Sequence, residues 1–214
     1  GVGDGDIHVD AAARLAAVIG DGAVPQLVVV GEHEDARRRA QPRAEQPDLD
    51  HFALDAIALA SDVAIIEAGR ITQTGPLDEL TRRPRTRYVA ELIGLNLLHG
   101  TAAGTTVTVA GTGPDTGADA TITLAEPASG PVHVLIHPNA VALHTSRPDG
   151  SPRNQWPATI DGFDLLGDRV RVRLTGVLPL TAEITPAAVT ALDLREGRDV
   201  WIAVKATEIE TYPA

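Results

Sequence analysis

Two short stretches of this chain carry donors of the kind that hold a small anion: Ser151-Pro152-Arg153-Asn154 and, further along, Lys205-Ala206-Thr207. Arginine offers a planar fork of N–H donors, lysine a compact charge, serine and threonine neutral hydroxyls. Backbone amides in a tight turn complete a concavity for negative charge. An oxyanion is the ligand such a pair suggests. The formal net charge is −11, so a positive site must work against the field of the whole chain, which favours a specific pocket over loose attraction. Taken alone, two cations such as Arg153 and Lys205 read first as solvated surface charge. Thr185, just before Pro186, is either a further donor at a helix N-terminus, which favours anions, or no more than the cap of that helix.

Other chemistries are excluded or unsupported. Lys205 is the sole lysine, and it is followed by Ala206 with no glycine loop before it. A phosphate loop needs glycines whose amides face the phosphates, then Lys and Ser or Thr, so this chain cannot build one. His8, His33, His99, His133, His137 and His144 show no zinc spacing with acidic support. The glycines of Gly1-Val2-Gly3-Asp4-Gly5 follow no strand, as a dinucleotide loop would, and no Gly-x-Ser-x-Gly elbow occurs. The negative charge and an aromatic content of 3% argue against nucleic-acid binding, which relies on basic faces and stacking. Without cysteine there is neither a disulfide framework nor a thiolate metal site, and no metal ligands are expected. No apolar run approaches the ~20 residues of a membrane span, and Gly1 to Asp10 is unlike a secretory signal. A soluble, cytoplasmic protein is the expectation.

The elements that must position these residues follow from patterning. A length of 214 residues fits one large or two small domains. Ala11 to Ile19 predicts a short helix between Asp10 and Gly20, and Leu27 to Val30 a strand buried on both faces. Glu34 to Asp50 reads as a frayed helix or loop and Ala53 to Ala60 as a helix. Val63 to Glu67 and Arg70 to Gln73 predict a hairpin, and Pro84 separates two short helices, Pro76 to Arg83 and Arg85 to Ile93. Composition changes near Gly94. Strand-like runs then dominate, at 105–110, 120–124, 132–136, 141–144, 170–174, 200–204 and 208–212, with a turn at 111–117 and a polar connector at 146–152. One short helix is expected from Thr185-Pro186 to Leu192. The pattern divides the chain into an α/β piece, 1–94, and an OB-type β-barrel, 95–214, itself reading as two related halves.

Several motifs carry a resemblance. Asp50-His51-Phe52-Ala53-Leu54-Asp55-Ala56 with Leu59-Ala60-Ser61-Asp62-Val63 resembles the switch-histidine segment of ABC importer ATPases. Glu67-Ala68-Gly69-Arg70-Ile71 and Thr74-Gly75-Pro76 resemble the hairpin that follows it. Gly150-Ser151-Pro152-Arg153-Asn154 and Val204-Lys205-Ala206-Thr207-Glu208 are similar to the paired motifs of Mop-type molybdate-binding domains. From about His51 to Ala214 the chain therefore resembles the ATP-binding subunits of molybdate-type ABC importers with their C-terminal TOBE (Mop-like) domain. Pro25 to Glu32 resembles the acidic strand of these ATPases, with Gly31 where the metal-associated Asp belongs and Glu32 where the water-polarising Glu belongs.

The resemblance implies an α/β remnant of an ABC ATPase domain followed by an all-β, OB-like TOBE/Mop barrel. It implies molybdate or tungstate as the bound oxyanion, held by Ser151, Arg153, Asn154, Thr185, Lys205, Ala206 and Thr207, and with it the site reading outweighs plain surface charge. The Ser expected after Thr185 is Ala188 here, which removes a donor. Glu32 and His51 stand at catalytic positions as vestiges. ATP and magnesium are implied by the family, yet hydrolysis by this chain alone is not expected. A truncated or degenerate subunit is the resulting picture: a homodimer, associated with a membrane permease, peripheral at the inner face of the plasma membrane. The alternative is a stand-alone molybdate or tungstate store of the Mop type.

Overall fold

Runs of Val, Ile and Thr alternate with polar residues through much of the chain, and such runs suit a pleated, half-buried surface. The structure is a computed structural model that describes residues 16–19, 26–30, 62–67, 70–110 and 119–214. Its contacts divide the chain into two compact units, Gly1–Val89 and Ala90–Ala214.

In the first unit, β1 (Ala16–Ile19), β2 (Gln26–Val30), β3 (Asp62–Glu67) and β4 (Arg70–Gly75) form one sheet in that order, antiparallel throughout. Two expectations are corrected here. The helix expected over Ala11 to Ile19 is, at Ala16–Ile19, a strand: Val18 and Ile19 pair with Val28 and Leu27, and this pairing overrides the helix preference of the alanines. The run Leu27 to Val30 is a strand as expected, but of an antiparallel meander rather than of a parallel α/β sheet. The hairpin β3–β4 forms, with a bulge between Ile65 and Ile66. Helices α1 (Leu77–Arg82) and α2 (Arg87–Leu92) flank Pro84 as the sequence predicts. Buried Gln73 fixes the bend between them. Its Nε2 donates to the Arg83 carbonyl (3.0 Å) and its Oε1 accepts from the Arg85 N–H (2.9 Å). The segments expected at 34–50 and 53–60, together with Glu32 and His51, lie outside the described residues.

The second unit is almost entirely β. Strand β5 (Asn96–Val109) pairs with β6 (Ala120–Ile136), a 3-10 turn (Pro138–Ala140) follows, then β7 (Ala142–His144). Next come β8 (Asn154–Leu166), β9 (Arg169–Gly176), β10 (Leu180–Ile184), α3 (Pro186–Ala191), β11 (Asp199–Val204), a second 3-10 turn (Ala206–Glu208) and β12 (Ile209–Pro213). The runs expected separately at 120–124 and 132–136 are one strand. The expected turn at 111–117 lies outside the described residues. Two sheets result, of order β12-β6-β5 and β10-β9-β8-β11-β7. Both turn their alternate residues onto one core, including Ile122, Val134 and Ile136 from the first and Ile160, Val172 and Ile202 from the second. Each such side chain contributes roughly 1.5–3 kcal/mol by leaving water. Strand β5 curls tightly enough that a Cβ at Gly100 would stand 2.5 Å from Val107 Cγ1 and 2.7 Å from the Thr108 carbonyl oxygen.

Side chains rather than ladders tie the two sheets together. Asn96, at the start of β5, accepts from the Thr181 N–H (2.7 Å) and donates to the Thr181 carbonyl (2.9 Å) on β10. Asn154, at the start of β8, accepts from the Thr123 N–H (2.7 Å) and donates to the Thr123 carbonyl (2.9 Å) on β6. The two halves of the unit repeat this plan. Asn96 pairs across the ladder with Ile136 and Asn154 with Val204, and each partner precedes a 3-10 turn and a short strand. The short strands are exchanged: β7 pairs with β11 and β12 with β6.

Candidate functional site

The β8–β11 ladder ends on the pair Asn154↔Val204. Arg153 and Lys205 are the next residues beyond this last pair, at the same end of the ladder. Asn154 and Val204 point into the core, so their neighbours belong to the outer face, and Arg153 and Lys205 are exposed. Among the described residues the ion pairs engage other arginines, and none involves Arg153 or Lys205. The structure thus joins two motifs that are remote in sequence.

Local geometry supports each side. Gly150 takes φ +113°, a value that suits glycine, in the irregular connector that leads to exposed Ser151. Lys205 leaves β11 extended (φ −73°, ψ 142°) and opens the second 3-10 turn, where the Glu208 N–H donates to the Lys205 carbonyl (3.0 Å). The first amides of such a turn, at Ala206 and Thr207, have no acceptor inside it. Thr207 is exposed and Ala206 half-buried beside them.

Two predicted residues stand elsewhere. Asn154 is only 2% exposed, and both polar atoms of its side chain are engaged by Thr123. Its side chain holds the strand rather than facing solvent. Thr185 caps α3, accepting from the Ala188 N–H (3.2 Å). It follows Ile184, whose ladder runs through Val170 to Leu165, eleven residues along β8 from Asn154 (165 − 154 = 11). The sheet does not bring Thr185 to the Arg153–Lys205 corner. No group of three or more His, Asp or Glu residues suited to a metal occurs among the described residues.

The region around this corner matches a known family model. Residues 150–210 form a TOBE domain. Both motif stretches lie within this TOBE domain, whose strands β8 to β11 build the corner. Beyond it, the chain is 35% identical over 177 residues to the molybdenum import ATP-binding protein ModC of Mycobacterium tuberculosis (strain ATCC 25618 / H37Rv), across 77% of this chain and 45% of that protein. It is 30% identical over 164 residues to the molybdate/tungstate import ATP-binding protein WtpC of Pyrococcus abyssi (strain GE5 / Orsay), across 76% of this chain and 45% of that one. The chain is thus homologous to the ATP-binding proteins of molybdate and tungstate import over about three quarters of its length, and it spans less than half of theirs. A solved structure of the cytoplasmic molybdate-binding protein ModG, with molybdate bound, aligns at 22% identity and a TM-score of 0.42, covering 56% of this chain and 96% of that one. That likeness is too distant to carry the site. No helix among the described residues is long and apolar enough to cross a membrane.

Proposed function

We propose that the TOBE domain of this chain binds a small tetrahedral oxyanion of the molybdate or tungstate type, and that it is the regulatory part of an importer's ATP-binding subunit. Residues 95–214 form the oxyanion-responsive barrel, and 1–94 the ATPase-like piece through which a membrane permease is engaged. Arg153 and Lys205 supply charge, Ser151 and Thr207 hydroxyl donors, and the turn at Ala206 and Thr207 its amides. Asn154 acts by holding β8 in place, and Thr185 by capping α3. The observation that supports the reading is the β8–β11 register, which ends on Asn154↔Val204 and so leaves two exposed cations, without an ion pair among the described residues, at the same end of two paired strands in a chain of net charge −11.

Calorimetric titration with molybdate, and separately with sulfate, tests this. Arg153→Ala and Lys205→Ala each weaken molybdate binding at least about tenfold, since a charge-assisted bond is worth roughly 1.5–3 kcal/mol. Thr185→Ala leaves the affinity within about twofold, because its cost of about 1 kcal/mol falls on helix stability. A wild-type protein that binds neither anion, or two cation variants that bind like wild type, ends the proposal.

A further inference from the structure

The outer face of the β8–β11 ladder carries a further cation, Arg147, that no motif marks. Alternation along β8 and β11 buries Asn154, Trp156 and Ala158 on one side and Val200, Ile202 and Val204 with them. Gln155 and Pro157, opposite Ala203 and Trp201, therefore share the outer face, and His144 of β7 stands opposite Trp201 from the other side. Arg147, from the connector, lies across this face. Its guanidinium carbon is 5.4 Å from the centre of the Trp201 ring, and its Nε donates to Gln155 Oε1 (3.3 Å). Ala203 faces outward in this row yet is only 2% exposed, as expected beneath the larger side chains of that layer.

Gln155 is two residues from Arg153 on β8, and Ala203 two residues from Lys205 on β11. Two residues of strand span about 6.7 Å. Gln155, to which Arg147 is anchored, is thus about one such step from Arg153, within a Debye length of about 8 Å at physiological salt. Like Arg153 and Lys205, it makes no ion pair among the described residues. Asp199, the carboxylate of this face on β11, is six residues from Lys205 (205 − 199 = 6) and accepts from the Thr159 hydroxyl (2.8 Å). Stacking on the indole and the bond to Gln155 restrain a side chain that would otherwise sweep solvent. Such restraint keeps its charge near the corner.

We infer that Arg147, held by Trp201 and Gln155, is a positioning cation of the oxyanion site, raising affinity for a dianion through its charge rather than by direct contact. The inference rests on the proposed oxyanion function. One added charge held within a Debye length of a dianion strengthens its binding by roughly tenfold at low salt.

The test is molybdate titration of the full chain as wild type, Arg147→Gln and Arg147→Lys, at low and at high ionic strength, with circular dichroism to verify folding. Arg147→Gln is expected to weaken binding about tenfold at low salt and much less at high salt, while Arg147→Lys stays within about threefold of wild type. A structural role for Arg147 would not make the loss depend on salt. Equal binding by all three proteins, equal weakening by Gln and Lys, or a loss indifferent to salt overturns the inference and leaves the oxyanion site standing. A wild-type chain that binds no molybdate overturns both, so the two failures are distinguishable.

Discussion

Asn154 changes meaning between sequence and structure. Its position beside Arg153 marked it as an anion donor, and the structure instead gives its carbonyl and amide to the Thr123 main chain. An exposed strand end needs no such partner, but two sheets that meet without a continuous ladder do. Removing it leaves a partly buried N–H and C=O unsatisfied. Asn154→Ala is therefore expected to lower unfolding free energy by about 2–4 kcal/mol in a denaturant titration. A cost under about 0.5 kcal/mol would rule out the tie between β8 and β6. Nothing in the local sequence could reveal this role, since its partner lies 31 residues away. The types of Arg153 and Lys205 were legible as cations, and so was Thr185 as a cap, because these properties are local. That Arg147 belongs with them was not. It sits in a connector with no periodicity, and its neighbours Trp201 and Gln155 come from different strands.

At the level of elements, strand alternation was legible and strand curvature was not. Val170, Val172 and Leu174 are buried and Arg173 is exposed between the last two, as the pattern predicts. The helices around Pro84 and after Thr185 formed where proline and capping placed them. The short run Ala16–Ile19 went the other way because its neighbours, rather than its propensity, decide a segment of four residues. Curvature enters at Gly100, where β5 folds back until no Cβ fits between it and Val107. Gly100→Ala is expected to cost about 1–3 kcal/mol by overpacking, read as a lower midpoint in thermal unfolding. An unchanged midpoint would mean that β5 is less tightly bent than described.

The second unit as a whole is a strand-exchanged duplicate, in which two long-strand openings, two asparagine ties and two 3-10 corners correspond. The two corners differ in the residue that opens them: Lys205 opens the second, His137 the first. On the proposed function, that difference gives one oxyanion corner in this unit. In solution with molybdate, the proposed regulatory role predicts a dimer by light scattering, with one anion per chain. Large assemblies holding several anions would favour a storage role instead. The sequence by itself determined the β-rich character, the acidic charge and the two cation-bearing motifs, because each is written in local residue types. Only the tertiary structure decided that the motifs meet, that Asn154 faces inward and that Arg147 stands beside them. Register and the packing of two sheets arise from contacts between segments far apart in the chain, and no window of sequence contains them.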